Sequence, residues 1–209
     1  MEGLCISNHC IIRNNKVYVD GELAYSHTEG GAYPEFIKAV YSKFQFNYPK
    51  FFKMDHLSKL GFGAAMLLLK EKAEPCNSLK TGVVLANSSS SLDTDAHHFD
   101  SIKDKKNYFP SPSVFVYTLP NIMIGEICIY HKLKGENAFF ISEIYDAELL
   151  CNYINALFGT GKLDCCITGW VEYTPLHYEA VLFFVAPCND KKTKFEPETI
   201  KNIISLIKN

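Results

Sequence analysis

Eight cysteines, at positions 5, 10, 76, 128, 151, 165, 166 and 188, are the strongest nucleophiles this chain offers. No two of them form a Cys-x-x-Cys pair, so the usual zinc and thioredoxin-type spacings are absent. Most lie in apolar runs (CIIR, EICIY, DCCITGW), where a cysteine reads as a small buried hydrophobe of a reducing compartment. Asp93, Asp95, His97, His98 and Asp100 gather carboxylates and imidazoles, both of which are metal ligands. Adjacent His97 and His98 would point apart on a helix, however, and no further ligand group has a recognised spacing, so no metal and no cofactor is expected. The four serines at 88–91 could supply a hydroxyl nucleophile with His97 or His98 as base, but no G-x-S-x-G elbow surrounds them. They read as a solvated turn. Gly61-x-Gly63 lacks the third glycine of a dinucleotide fingerprint and sits inside a helical pattern.

The elements that must carry these residues alternate between strand and helix. Residues 4–13 and 17–19 read as strands joined by an Asn14-Asn15 turn. A helix is expected over 33–44, with Pro34 in its first turn. The clearest early helix runs over 55–72. There Leu57, Leu60, Ala64, Leu67 and Leu68 recur at three- and four-residue spacing, and Asp55 can cap the start. Residues 81–86 form a short apolar strand. The polar stretch 87–113 reads as a long surface loop, with a short helix around 97–102. Residues 118–130 are apolar nearly all round, which implies a buried helix. A strand at 138–141, a helical stripe from Ile144 to Phe158, strands at 163–171 and 180–186, and a last helix carrying Ile200, Ile203, Ile204 and Ile207 complete the chain. Alternation of this kind argues for an α/β layer fold in a single domain over 1–209.

Composition narrows the classes. With 21 Lys+Arg against 23 Asp+Glu, the net charge is −2, so no basic surplus points to nucleic acid or an anionic membrane. Aromatics make up 13% of the chain, enough to fill a large core or an apolar interface. The longest apolar stretch, 62–69, falls far short of the ~20 residues a spanning helix needs. The start, MEGLCISNHC, lacks a basic segment followed by an apolar one. The expectation is a cytoplasmic protein.

Four segments carry a resemblance. MDHLSKLGFGAAMLLL at 54–69, TGVVLANSSSSL at 81–92, SPSVFVYTLPNIMIGEICIYHKLKGEN at 111–137 and GKLDCCITGWVE at 161–172 resemble the N-terminal half of a beta-ketoacyl synthase (3-oxoacyl-ACP synthase) of the thiolase-like superfamily. The resemblance implies a mixed, five-stranded-type sheet covered by helices. It also places the family's catalytic cysteine, at the tip of the helix after the strand 138–141, on Ile144. In that reading the helix opens with Glu143, Ile144, Tyr145 and Asp146, and Ser142 is its N-cap. A condensing enzyme needs a thiolate activated at a helix N-terminus. An isoleucine cannot attack, and the carboxylates of Glu143 and Asp146 would oppose a nearby thiolate. The half that holds the family's two catalytic histidines lies beyond this chain, and His177 sits in no family histidine motif. Losing one member of a catalytic unit already removes most of the rate.

The resemblance therefore implies a non-catalytic relative, similar to the chain length factors that accompany active synthases. Short proteins of this kind occur in pigment clusters of the aryl-polyene and flexirubin type. Phe115, Val116, Tyr117, Leu119 and Asn121, with Phe139 and Phe140 on the strand before Ile144, are the implied tunnel or interface positions; ordinary core packing is the competing reading of the aromatic run. A lone half should expose the helix faces its twin would cover, here 61–69 and 144–158, and large apolar patches are rare on soluble monomers. In the family the strand at 138–141 pairs edge to edge with a partner. A homodimer or a heterodimer with a full-length synthase is expected, with acyl carrier protein as a further partner and no nucleic acid or membrane. A homodimeric acyl- or lipid-binding module is the alternative. A condensing enzyme or acyltransferase with relocated chemistry at Ser142, Cys151 or the loop histidines comes last. Cys151 lies on the buried stripe and should be inert.

Overall fold

The computed structural model describes residues 3–28, 31–70, 77–106, 108–188 and 193–206. The chain opens with an antiparallel meander of β1 (Leu4–Arg13), β2 (Lys16–Val19) and β3 (Glu22–Ser26). Its first turn holds Asn14 and Asn15 at φ 48° and 56°, and its second holds Asp20 and Gly21 at φ 51° and 85°. Two successive positive φ values are what a two-residue hairpin needs to match strand twist, and Asn, Asp and Gly tolerate them best. Then follow α1 (Tyr33–Lys43), α2 (His56–Lys70), β4 (Thr81–Asn87), α3 (Leu92–Ile102), α4 (Pro112–Val116), α5 (Ile122–His131), β5 (Asn137–Ile141), α6 (Ala147–Gly159), β6 (Cys165–Thr174), β7 (His177–Pro187), β8 (Thr193–Lys194) and α7 (Pro197–Leu206).

The sheet order is β3-β2-β1-β7-β6-β4-β5, with β8 on the first residues of β1. Strands β5, β4 and β6 are parallel, while β7 and β1 join antiparallel. The sheet thus has eight strands rather than five. The five-strand mixed core is intact from β5 to β1, and β2, β3 and β8 extend it. β4 is buried at every position, as a parallel strand covered on both faces must be. Gly169 in β6 sits at φ 148°, and a Cβ there would lie 1.9 Å from the Val181 carbonyl oxygen, so only glycine lets β7 close on β6.

Two cores flank the sheet. On one side, Phe36, Phe51, Phe62, Leu60, Met123 and Ile124 pack under α1, α2 and α5. On the other, Trp170, Phe183, Leu150, Ile154 and Ile200 pack under α6 and α7. Helices α2 and α5 touch closely: a Cβ on Gly61 would lie 2.0 Å from the Met123 sulfur.

Several expectations change. The stretch 87–113 is not one long loop, because α3 spans Leu92–Ile102 and α4 begins at Pro112. The buried helix begins at Ile122, not 118, and Ile129 on it is exposed. The apolar face of 61–69 needs no twin, since α2 lies on β1, β6 and β7 and is flanked by α1 and α5. Helix α7 packs on α6 in the same way. The cysteines are not all free thiols: Cys5 and Cys188 form a disulfide, and Cys165 is disulfide-bonded too. Pairing of β1 with β7 sets Gly3 beside Cys188, whose N–H donates to the Gly3 carbonyl at 2.9 Å, and so brings Cys5 within reach. A sequence separation of 183 hides that proximity. Lys72, Cys76 and Ile207 lie outside the described residues.

Candidate functional site

The loop leaving β5 carries the position to which the resemblance assigns the nucleophile. The Ser142 N–H donates to the Asn87 carbonyl at 3.0 Å, which ties the loop to the end of β4. The Ser142 hydroxyl donates to the Ile144 carbonyl at 2.9 Å. Helix α6 begins only at Ala147, and its N-cap is Asp146, whose carboxylate accepts the Leu149 N–H at 2.9 Å. Ser142 is therefore not the cap. Glu143, Ile144 and Tyr145 precede the helix instead of opening it. An aspartate three residues ahead of a free N–H is the stronger cap, and the turn before it is too irregular to continue the helix. Ile144 is 73% exposed. Tyr145 turns inward, edge-on to Trp170 at 5.8 Å, and burial pushes its phenol up.

The serine loop after β4 is held, not poised. Glu172, buried near the end of β6, accepts the Ser88 N–H and hydroxyl, both at 2.8 Å, and the Ser89 N–H at 3.2 Å. A hydroxyl donating to a carboxylate in this way is an anchor, and no imidazole reaches it. The carboxylate and imidazole cluster also disperses. Asp95 faces the Ser91 hydroxyl at 3.4 Å, His98 packs its ring against Phe115 at 5.4 Å, and Asp100 pairs with Lys103 at 2.7 Å. Among the described residues no group of three or more His, Cys, Asp or Glu is placed to hold a metal ion.

Asp93 alone is drawn into new company. Its Oδ2 lies 3.0 Å from His56 Nδ1 and 3.9 Å from His97 Nδ1. These residues line a cavity of about 350 Å³ between the start of α2, the first turns of α3, and α4, closed by Lys53, Met54, Asp55, Lys59, Thr94, Ser113, Val114 and Tyr117. Asp55 caps α2 through the Ser58 N–H at 3.0 Å and accepts the Thr94 hydroxyl at 2.9 Å. Burial pushes its carboxyl up, against those two hydrogen bonds. Burial lowers the Lys59 ammonium, Lys38 adds to that, and Asp55 opposes it. Tyr117 forms part of the floor. Its hydroxyl donates to the buried Glu126 at 3.0 Å, and Glu126 also accepts Tyr48 at 3.1 Å and Lys50 at 2.7 Å. Sequence reasoning missed His56, Lys53 and Lys59. His56 and Asp93 are 37 residues apart, on different helices, and share no motif.

The implied tunnel or interface residues separate. Tyr117 is core. Phe139 and Phe140 are half-buried on opposite faces of β5, Phe139 toward α2 and α5, and Phe140 against Tyr153 at 5.1 Å. Phe115, Val116, Leu119 and Asn121 are exposed, and so is Ile141, with Phe115 at 58% and Ile141 at 59%. β5 pairs with β4 on one side and ends the sheet on the other.

This α/β architecture is shared with solved ketosynthases and chain length factors. No protein-family model and no curated protein sequence matches the chain. Solved structures do. One is the ishigamide ketosynthase/chain length factor, at TM-score 0.65 and 17% identity over 92% of this chain and 64% of that one. A second is the ketosynthase ApeO in complex with its chain length factor ApeC from Xenorhabdus doucetiae, at TM-score 0.61 and 12% identity over 99% and 92%. A third is the type II polyketide synthase complex AntDE:AntF, an acyl-carrier protein with its ketosynthase bound to the hexaketide, at 0.60 and 11% over 90% and 63%. The chain spans under two thirds of the first and third of these and nearly all of the second. At such identities the shared property is the fold.

Proposed function

We propose that this chain is a non-catalytic, ketosynthase-like subunit of fatty acid or polyketide assembly that pairs with an active synthase and contributes a wall of its acyl tunnel. The carrying observation is the loop after β5: an exposed Ile144 stands where the resemblance assigns the acyl-accepting thiol. No other free cysteine among the described residues substitutes for it. Burial pushes Cys151 up to about 12 and Cys128 up to about 11, and raises Cys10 and Cys166 as well. A thiol that stays protonated at neutral pH is a poor acyl acceptor.

The pairing surface is the free edge of β5 with Ile141, together with Phe115, Val116 and Leu119 of the α4 segment. An unpaired strand edge and exposed large apolar side chains are each templates for another chain. Two of the structures of this fold are synthase complexes with a chain length factor or a carrier protein, and that supports a synthase as the occupant. Acyl carrier protein would then serve the pair, in the cytoplasm, with the cavity beneath α4 taking part of the growing chain.

The test is copurification of the chain with a full-length ketosynthase from the same organism. A one-to-one complex is expected by sedimentation, and Ile141→Arg combined with Leu119→Arg should weaken it about tenfold or more with unchanged circular dichroism. A chain that stays monomeric at micromolar concentration and pairs with no such synthase would defeat the proposal. A stable homodimer through the same residues would replace the synthase with a second copy.

A further inference from the structure

The cavity between α2, α3 and α4 has an uneven charge economy. It is lined by two carboxylates and two ammonium groups. Both carboxylates are engaged: Asp93 faces two imidazoles, and Asp55 takes the Ser58 N–H and the Thr94 hydroxyl. Neither Lys53 nor Lys59 has a carboxylate within ion-pair distance among the described residues, although four other lysines do. Lys59 is half-buried, and Asp55 opposes the cost of that burial only from beyond ion-pair distance. Met54, Val114 and the Tyr117 ring supply apolar wall between these polar groups. A cavity of this size, mostly apolar with a few convergent polar groups, has the usual build of a small-molecule site.

We propose that this cavity binds the carboxylate end of a medium-length aliphatic acid, with Lys59 and Lys53 meeting the charge and Met54, Val114 and Tyr117 the hydrocarbon. The ring of His56 is already oriented. Its Nδ1 lies 3.0 Å from the Asp93 carboxylate, so the ring is held in place before any ligand enters. His97, more exposed on the outer turn of α3, stands at the mouth. The ligand's negative charge supplies what the protein leaves out beside Lys59. A neutral or cationic chain end would leave that ammonium without a direct ion pair.

The inference rests on reading the cavity as an acyl site, and the experiment separates the two. The full-length protein is titrated with sodium octanoate, 1-octanol and octylamine, and the imidazole resonances of His56 and His97 are followed. Octanoate should shift both resonances and bind about tenfold more tightly than 1-octanol. Lys59→Met keeps the alkyl stem and should abolish that preference while 1-octanol binding persists. Equal binding of octanoate and 1-octanol overturns the carboxylate assignment and leaves the acyl site. If neither perturbs the two imidazoles, both fall. A preference that survives in the Lys53→Met, Lys59→Met double variant overturns the role of the lysines.

Discussion

Asp55 shows how one side chain can serve a helix and a site together. As N-cap of α2 it satisfies a backbone N–H that the helix cannot, and through Thr94 it fastens α3 to α2. Burial raises its carboxyl, against its hydrogen bonds, so the folded chain holds that proton more tightly than the unfolded chain does. By linkage, the stability Asp55 contributes is fullest below the unfolded carboxyl value and falls as pH rises through the raised folded value. Asp55→Asn keeps one acceptor oxygen for the Ser58 N–H and offers its amide N–H to the Thr94 hydroxyl oxygen, without the charge. It should flatten that part of the stability–pH curve, and denaturant melts between pH 3 and pH 7 would read it, whereas Asp55→Ala should lower stability by about 1 kcal/mol across the range. A curve for Asp55→Asn parallel to the wild type's would refute the assignment. At the same scale, native protein at pH 8 should label only slowly with iodoacetamide at Cys128 and Cys151. A fast-reacting thiol, protected by an acyl thioester, would restore a condensing enzyme. The cap was legible in the sequence because capping is local. The Asp93–His56 pair was not, because only the packing of α3 on α2 creates it.

At the scale of elements, α5 is held by chemistry that its composition conceals. Its one acidic residue, Glu126, is buried, and it joins the 3₁₀ turn at 49–53 to the α4–α5 connection through Lys50, Tyr48 and Tyr117. Removing Glu126 leaves the buried Tyr117 hydroxyl without its acceptor, while the exposed Lys50 can turn to solvent. Glu126→Ala should lower stability by about 3 kcal/mol, and Glu126→Gln by less, since the amide oxygen still accepts from a tyrosine; urea melts would show the order. Equal losses would mean that packing alone is at stake. An all-apolar pattern correctly announced a mostly buried helix, but it could not show that the helix starts four residues later or that Ile129 faces outward. Helix α4 and strand β3 escaped for a related reason. A five-residue helix and an exposed edge strand carry too little periodicity to register, whereas α2, with its apolar spacing and its cap, registered well.

For the whole molecule, the Cys5–Cys188 bond closes nearly the full length of the chain and ties β1 to the end of β7. A crosslink over so long a loop contributes on the order of 2–4 kcal/mol, chiefly by restricting the unfolded chain. Reduction should therefore lower the melting temperature but leave the circular dichroism spectrum intact, because the β1–β7 pairing stands on its own. Unfolding on reduction would show instead that the fold depends on an oxidising compartment, against the cytoplasmic role proposed above. The sequence by itself determined the alternation of strands and helices, the first hairpin turn and the central helices, because each of these is written in near-neighbour spacing. Only the tertiary structure decided that α1, α5 and α7 cover the faces a twin would have covered, that two cysteines 183 residues apart meet, and that Asp93, His56 and two unpaired lysines share one cavity. Those outcomes depend on which elements become neighbours across the sheet, and no local pattern encodes that.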